Sequence, residues 1–233
     1  MGQLFISVAP VLPAERIETL FADLEKTFSQ AGNAEYLHGL WGSSEHPVPR
    51  RISAARLSAL SLLPSLLEDV GIPSDRVLLS RDEHGRPRGR VLANSKISFD
   101  FNLSHANAHV ACGLLTDSGQ IGVDVEERLP PDRAMPLIRR FCTDGETRML
   151  GSLSDEQKAV AFTRMWTIRE AVSKQEGRGM PLRYDASNLP ESVQIFCGRI
   201  SDTGTQIALC VPKSAAVLKP IESANCLPIF WES

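Results

Sequence analysis

A short segment near the middle of the chain combines the alternation of a β-strand with two acidic side chains. Between residues 121 and 126, three apolar residues alternate with Gly122, Asp124 and Glu126, which is the period of a half-buried strand. The apolar face needs a core, so both carboxylates are expected on the other face, roughly 6.5–7 Å apart along the chain. Gly122 on that face would leave room for a ligand. A polar, solvated strand face would give the same pattern.

The residues before this segment predict two further strands. The apolar run from His109 to Thr116 and the turn-forming residues 117–119 indicate a hairpin that leads into the acidic strand. Further upstream, residues 97–103 alternate as a strand and would deliver Ser104 and His105 to its end.

Later in the chain, a long helix is predicted from a capping pattern at Ser154 to a stop at Gly177. Trp166, Glu170 and Lys174 are four residues apart and therefore share one face. An ordinary Glu–Lys surface pair, worth about 0.2–0.5 kcal/mol, would explain the last two. The tryptophan one turn earlier instead indicates a partly buried face, where such a pair needs further partners. Both readings stay open on these residues alone.

Together, the acidic strand and the helix predict a magnesium site. Mg²⁺ prefers oxygen ligands in octahedral geometry and binds through a few carboxylates together with substrate phosphates. The cation would neutralise a pyrophosphate, and Lys174 would add a positive charge from the neighbouring turn. The pattern therefore indicates chemistry with a phosphoryl group or a pyrophosphate leaving group, in which positioning and electrostatics supply most of the catalysis.

Four motifs follow one another in order and with compatible spacing, at residues 102–105, 121–126, 141–146 and 166–179. Over about residues 85–180 they resemble the 4′-phosphopantetheinyl transferases of the surfactin-synthetase-activating type. That family moves the phosphopantetheine arm of coenzyme A onto a serine hydroxyl of an apo acyl or peptidyl carrier protein and releases 3′,5′-ADP.

The resemblance implies an α+β fold with two pseudo-symmetric α/β lobes and an active site at their junction. Residues 1–118 would form an N-terminal lobe that binds coenzyme A. Residues 119–233 would form a C-terminal lobe that carries the metal site and contacts the carrier protein.

The resemblance also implies the role of each motif residue. Lys174 would contact the pyrophosphate, while Ser104 and His105 would meet the phosphates of coenzyme A, including the 3′-phosphate. A satisfied structural histidine is the alternative for His105. The implied ligands of Mg²⁺, or of Mn²⁺ in its place, are Asp124, Glu126 and Glu170.

The general base that accepts the proton of the carrier serine has two candidates in the family pattern, Glu170 and Glu146. A carboxylate must reach that hydroxyl directly or through water. Glu146 also fits a capping box with Thr143, three residues earlier, and this structural role would suffice to explain it. The two roles do not exclude each other.

Coenzyme A carries several phosphates, so the resemblance requires an anion-binding surface. One basic stretch opens an apolar helical segment that runs from Arg50 to about Val70, where Pro64 would introduce a kink. The other surrounds a turn in the polar, glycine- and proline-punctuated loop predicted for residues 81–94. Single arginines in either stretch would equally fit a solvated surface. The implied coenzyme A contacts in these stretches are Arg51, Arg56, Arg86 and Pro87.

The sequence departs from the family pattern in two places. Residues 35–41 contain neither Lys nor Arg, where many relatives carry a basic pair. The 3′-phosphate would then be bound by Arg50, Arg51 and His38 in place of that pair. Arg169 replaces the usual lysine beside an implied metal ligand, which keeps the charge but changes the donor geometry.

Composition limits the class of function. A net charge of −3 excludes a generally basic nucleic-acid binder, although it allows a local basic patch. No run of eighteen apolar residues occurs, so no membrane-spanning helix is expected. Scattered cysteines without metal-ligand spacing fit a reducing cytoplasm. Because two-lobed relatives can complete the site in one chain, a monomer is expected.

Two functions other than transfer stay compatible with these residues. One is a pyrophosphohydrolase that uses the same carboxylates on coenzyme A or a nucleotide. The other is a catalytically silent module that binds coenzyme A or a carrier protein, although the full set of three carboxylates counts against it.

Overall fold

The structure, a computed structural model, describes residues 2–30, 32–41, 48–92, 97–117, 119–177, 189–200, 203–215, 217 and 220–232. Within these residues the fold is mixed α+β, as the sequence predicts. The α-helices are α1 (Ile17–Thr27), α2 (Asn33–Trp41), α3 (Arg50–Leu60), α4 (Leu63–Asp69), α5 (Pro131–Phe141), α6 (Asp144–Leu150) and α7 (Asp155–Glu176). The strands are β1 (Leu4–Pro10), β2 (Val77–Arg81), β3 (Pro87–Val91), β4 (Phe99–His105), β5 (His109–Thr116), β6 (Gly122–Glu126), β7 (Val193–Ile200), β8 (Gln206–Pro212), β9 (Ile221–Glu222) and β10 (Ile229–Trp231).

Two larger sheets organise the described residues. The first has the strand order β4-β5-β1-β9 and the second the order β10-β7-β8-β6. In the second sheet β6 pairs antiparallel with β8, so that Asp124 lies opposite Ala208. In the first sheet β9 pairs parallel with β1, which returns the last part of the chain to the N-terminal sheet. The two sheets fit the implied α/β lobes, while the boundary between residues 118 and 119 stays a prediction.

The core has one layer on each face of the first sheet. Helices α1 to α4 cover one face and bury Phe5 and Phe101 against Leu57 and Leu63. The other face packs against the second sheet, so that alternate residues of β1 meet the apolar side of β6. This arrangement follows from the period of the strands, because successive side chains point to opposite faces.

The predicted hairpin between residues 109–116 and the acidic strand is wrong. β5 pairs with β1 and β4 in the first sheet, whereas β6 pairs with β8 in the second. The apolar face of β6 is buried against Ala111 and Leu115 of β5. The two strands therefore stack face to face, because both need their apolar sides covered and the turn leads the chain from one sheet to the other.

Two other predicted segments differ from the structure. The loop expected at residues 81–94 includes part of a small antiparallel hairpin formed by β2 and β3. In the turn of this hairpin, the backbone N–H of Arg86 donates to Asp82 Oδ1 at 3.0 Å. Its β3 strand is rich in arginine and lacks an apolar alternation. The arginine-led helix divides into α3 and α4 instead of kinking, with Pro64 in the first turn of α4, where it costs no hydrogen bond.

Strands β4 and β6 are edge strands, and side chains of β4 satisfy the free edge of β6. Unpaired N–H groups on an edge are costly when buried and promote wrong pairing when exposed. Alternate residues of β4 point their acceptors at alternate N–H groups of β6, so the two sheets are joined without backbone pairing. This side-chain ladder consists of the pairs Asp100 Oδ2–Ile121 N (2.8 Å), Asn102 Oδ1–Val123 N (3.0 Å) and Ser104 Oγ–Val125 N (3.2 Å).

Candidate active site

Helix α7 has the bounds that the sequence predicts, with a capping box formed by Ser154 and Gln157 and a left-handed Gly177 at its end. The motif residues Arg178 and Gly179, which the sequence analysis includes in the last motif, lie outside the described residues.

Gly122 is the point at which α7 packs against β6. A Cβ atom at this position would lie 1.8 Å from the carbonyl oxygen of Ala171 and 2.6 Å from the backbone nitrogen of Gln175. The expectation that Gly122 leaves room for a ligand is therefore wrong, because the helix backbone fills that space. This close approach brings Glu170 and Lys174 to the acidic strand.

Asp124 is at the centre of a hydrogen-bond network between the two sheets and α7. Lys174 Nζ donates to Asp124 Oδ1 at 2.6 Å and to Ser104 Oγ at 3.0 Å. The hydroxyl of Ser104 lies 3.0 Å from the same Asp124 oxygen. Asp124 is only 3% exposed, so this carboxylate lies in a buried interface and not on an open strand face.

The second carboxylate oxygen of Asp124, Oδ2, is buried and has no hydrogen-bond partner among the described residues. A buried carboxylate oxygen without a partner is costly, and native structures usually satisfy such atoms. A bound cation would satisfy this one. The observation therefore fits a metal at Asp124.

The pKa values of Glu126 and Glu170 are both raised, as is typical of buried carboxyl groups that lie near another acid. Burial and the nearby charge of Asp124 raise the pKa of Glu126 to about 7, with Lys174 acting in the opposite direction. The same two causes raise the pKa of Glu170. Across the described residues, no group of three or more His, Cys, Asp or Glu side chains is already arranged to hold a metal ion. Asp124 is close enough to act electrostatically on both Glu126 and Glu170, while the ammonium of Lys174 occupies one oxygen of Asp124.

A cavity of about 520 Å³ opens beside Glu126. It is lined by residues of α3 and α5, by the last residues of β4 and β6, and by the loops that follow these two strands. It contains two of the implied coenzyme A contacts, Arg51 and His105, and adds Arg133 from α5. Burial, followed by the charges of Lys174 and Arg56, lowers the pKa of His105. The structure therefore brings basic groups from the N-terminal half to the acidic strand of the C-terminal half.

Arg86 and Pro87, which the resemblance implies as coenzyme A contacts, are not among the residues that line this cavity. Pro87 is the first residue of β3. The side chain of Arg86 is 7% exposed and is directed at other protein groups, including Asp100 of the side-chain ladder.

Glu146, the other candidate base, is fully buried in a structural role. The predicted capping box is confirmed: Thr143 Oγ1 accepts from the Glu146 N–H at 3.2 Å, and Glu146 Oε2 accepts from the Thr143 N–H at 2.9 Å. Arg169 donates to both carboxylate oxygens of Glu146 and, at 3.1 Å, to the carbonyl of Phe141. The geometry favours a cap and an ion pair that tie α6 to α7.

The contacts of Asp100 and Asn102 with the acidic strand, and the pairing of Arg169 with Glu146, were not predicted. The signal for the first two was present, because residues 100, 102 and 104 alternate with apolar residues of β4 and must share a face. No local signal pairs Arg169 with Glu146, since the two residues are 23 positions apart.

The fold and the site define an α+β protein with a buried carboxylate–lysine centre at the meeting of two sheets. Residues 120–211 match the family model described as the 4′-phosphopantetheinyl transferase superfamily. The 4′-phosphopantetheinyl transferase HetI of a Nostoc species is 32% identical over 170 residues, which cover 72% of this chain and 68% of HetI. The chain belongs to the 4′-phosphopantetheinyl transferase superfamily.

Other relatives agree over shorter stretches. The transferase AcpT of Salmonella typhimurium is 32% identical over 144 residues, which are 59% of this chain and 73% of AcpT. The transferase Sfp of Bacillus subtilis is 29% identical over 110 residues, 47% of this chain and 46% of Sfp. Among the described residues, no helix combines the length and the apolarity needed to cross a membrane.

Proposed function

We propose that this protein is a magnesium-dependent phosphopantetheinyl transferase of the surfactin-synthetase-activating type. It transfers the 4′-phosphopantetheine group of coenzyme A to a serine of an apo acyl or peptidyl carrier protein and releases 3′,5′-ADP. The supporting observation is the buried carboxylate of Asp124, which has the Lys174 ammonium on one oxygen and no partner on the other.

The three carboxylates of the site have the chemistry to hold Mg²⁺ or, in its place, Mn²⁺. When bound, the cation supplies charge neutralisation for the pyrophosphate and so stabilises 3′,5′-ADP as a leaving group. Lys174 supplies a further positive charge from α7, next to Asp124. The proposed ligands are Asp124, Glu126 and Glu170.

Coenzyme A would bind in the cavity between the halves of the chain. Arg51 and His105 line that cavity together with Glu126, which supports phosphate binding next to the carboxylates. Arg56 acts electrostatically on His105 and would contribute to the same field. Ser104 is buried and shares hydrogen bonds with Asp124 and Lys174, so it would act beside the phosphates through these two groups.

Glu170 is the better candidate for the general base. The carrier serine oxygen forms a bond to the β-phosphorus of coenzyme A, the bond to 3′,5′-ADP breaks, and the serine proton passes to a carboxylate directly or through water. Glu170 is partly exposed, so its carboxylate is open to a carrier serine or to a bridging water. Glu146 is fully buried against Arg169.

Isosteric substitutions distinguish the two acids. Glu170→Gln is expected to lower kcat by about 10²-fold or more, because it removes both a base and a ligand charge. Glu146→Gln is expected to lower the free energy of unfolding by about 2 kcal/mol, through its lost bonds to Arg169, and to leave kcat of the folded protein within a few-fold. Steady-state kinetics and chemical denaturation of both variants measure this. A larger kcat loss in Glu146→Gln would assign the base to Glu146.

The partner is an apo carrier protein that presents a serine, and the protein acts as a cytoplasmic monomer without nucleic acid or membrane. The cytoplasmic location is supported by the five free cysteines, of which Cys112 and Cys210 are buried and the others partly buried.

The test of the function is incubation with coenzyme A, Mg²⁺ and a panel of apo acyl and peptidyl carrier proteins. We expect at least one carrier to gain the mass of one phosphopantetheine, and chelation of divalent cations to stop the gain. Mass spectrometry of intact carriers measures both. Absence of modification across the panel would overturn the proposal. Coenzyme A cleavage without a carrier would identify a pyrophosphohydrolase, and binding without any reaction would identify a silent module.

A further inference from the structure

The side chain of Arg86 connects three segments of the chain next to the proposed active site: β4, the residue before β6, and the last turn of α7. Its Nη2 donates to Asp100 Oδ2 at 2.5 Å and to the carbonyl oxygen of Ile121 at 2.6 Å. Its Nη1 donates to the carbonyl oxygen of Lys174. The residue is 7% exposed, and both Nη atoms are bound to these three protein groups, while the buried Nε has no hydrogen-bond partner among the described residues.

The chemistry of each partner explains why an arginine fits here. A buried guanidinium is costly unless it is paired and hydrogen-bonded, and Asp100 supplies the opposite charge. The Lys174 carbonyl lies in the last turn of α7, where it accepts from the N–H of Gly177 at 3.2 Å and where a further positive charge is favourable. The fork of an arginine reaches several acceptors at once, which a lysine ammonium on a flexible stem does less well.

Lys174 is thereby held at both ends. Its backbone carbonyl is bound by Arg86, while its Nζ reaches Asp124 and Ser104. The lysine stem is flexible, so a fixed backbone limits the space that the ammonium can reach, and the bonds to Asp124 and Ser104 hold it within that space. Asp100 also accepts from the Ile121 N–H, so the same carboxylate fixes the start of the acidic strand.

We infer that Arg86 is a positioning residue that places Lys174 for phosphate chemistry, and that its side chain does not bind coenzyme A. The inference rests on the proposed transferase function. Arg86 acts on the reaction through the last turn of α7 and the start of β6, without touching the substrate.

The test compares Arg86→Met and Arg86→Lys with wild type in the transfer assay, at a temperature where circular dichroism shows each variant folded. For Arg86→Met we expect kcat to fall by about 10- to 100-fold, because displacement of a catalytic group by about 1 Å has effects of this size. The KM for coenzyme A should stay within about 3-fold. Arg86→Lys should give an intermediate kcat.

A double-mutant cycle with Lys174→Ala shows whether Arg86 acts through Lys174. In the Lys174→Ala background, Arg86→Met should lower kcat by less than about 3-fold, since coupled residues are not additive. Arg88→Met is the matched control, because Arg88 pairs with the same Asp100 at 3.2 Å and none of its bonds goes to Lys174. Its kcat should stay within about 3-fold of wild type.

The outcomes separate the inference from its alternatives. A raised KM for coenzyme A with an unchanged kcat would make Arg86 a substrate contact and overturn the inference. A lower melting temperature with both constants unchanged would leave only a structural ion pair, and would also overturn it. If Arg86→Met does not fold, Arg86→Lys decides between these results. An inactive wild type would instead contradict the transferase function, and backbone hydrogen exchange at the end of α7 would then still test the Arg86–Lys174 contact.

Discussion

Replacement of Asp124 by asparagine is expected to lower phosphopantetheine transfer by about 10³-fold or more, with the fold retained. Asparagine keeps the size of the side chain and an oxygen that can accept from Lys174. It removes the negative charge that a divalent cation requires and leaves a weaker ligand at the buried Oδ2 position. The loss therefore falls on the chemical step and on metal affinity, and only secondarily on packing.

The measurement is kcat/KM for the carrier at several Mg²⁺ concentrations, with far-UV circular dichroism as the check on folding. Asp132→Asn is the matched control, because Asp132 is an exposed acid at the start of α5. We expect the control to retain activity. Wild-type activity in Asp124→Asn would contradict the metal assignment, and rescue at high Mg²⁺ would show that the variant is impaired mainly in metal affinity.

Gly122→Ala is expected to destabilise the protein by about 3 kcal/mol or more. The added methyl group would overlap the carbonyl of Ala171 and the backbone nitrogen of Gln175, and helix backbone does not yield as a flexible side chain does. To relieve the overlap, α7 must move away from β6. Glu170 and Lys174 would move with it, so transfer should fall by about 10²-fold even in the folded fraction.

Gly39→Ala tests whether this effect is specific to the contact. Gly39 lies in α2, is exposed, and has no atom within 4 Å of the position that a Cβ would take. Alanine has the higher helix propensity, so this variant should be more stable than wild type by up to about 1 kcal/mol. Urea denaturation of the two variants gives both values. Equal stability of Gly122→Ala and wild type would mean that α7 does not approach β6 as closely as described.

Local patterns predicted local structure well. The capping box at Thr143 and Glu146 and the bounds of α7 depend on neighbouring residues, and both were predicted correctly. The period of two in the acidic strand also identified which side chains share a face. The arginine-rich strand β3 was missed because its neighbours determine its pairing, while its own side chains carry no apolar alternation.

Contacts between distant segments could not be predicted from these patterns. The partner of β6 is β8, more than eighty residues later in the chain, and the choice depends on which apolar faces the whole core must cover. The burial of Asp124 likewise depends on α7, since the strand period alone describes an exposed face. The ion pair of Glu146 and Arg169 depends on the packing of α6 on α7, so the sequence predicted the cap of Glu146 but not this pair.

The side-chain ladder between β4 and β6 protects the protein from aggregation as well as shaping the proposed active site, because each sheet covers polar groups of the other. Without β4, the edge of β6 would expose unpaired N–H groups to strands of other molecules. Without β6, the side chains of Asp100, Asn102 and Ser104 would lose these backbone donors. Neither half of the chain should therefore be stable when expressed alone. The whole protein should unfold in a single cooperative transition, and the active site should vanish in the same step.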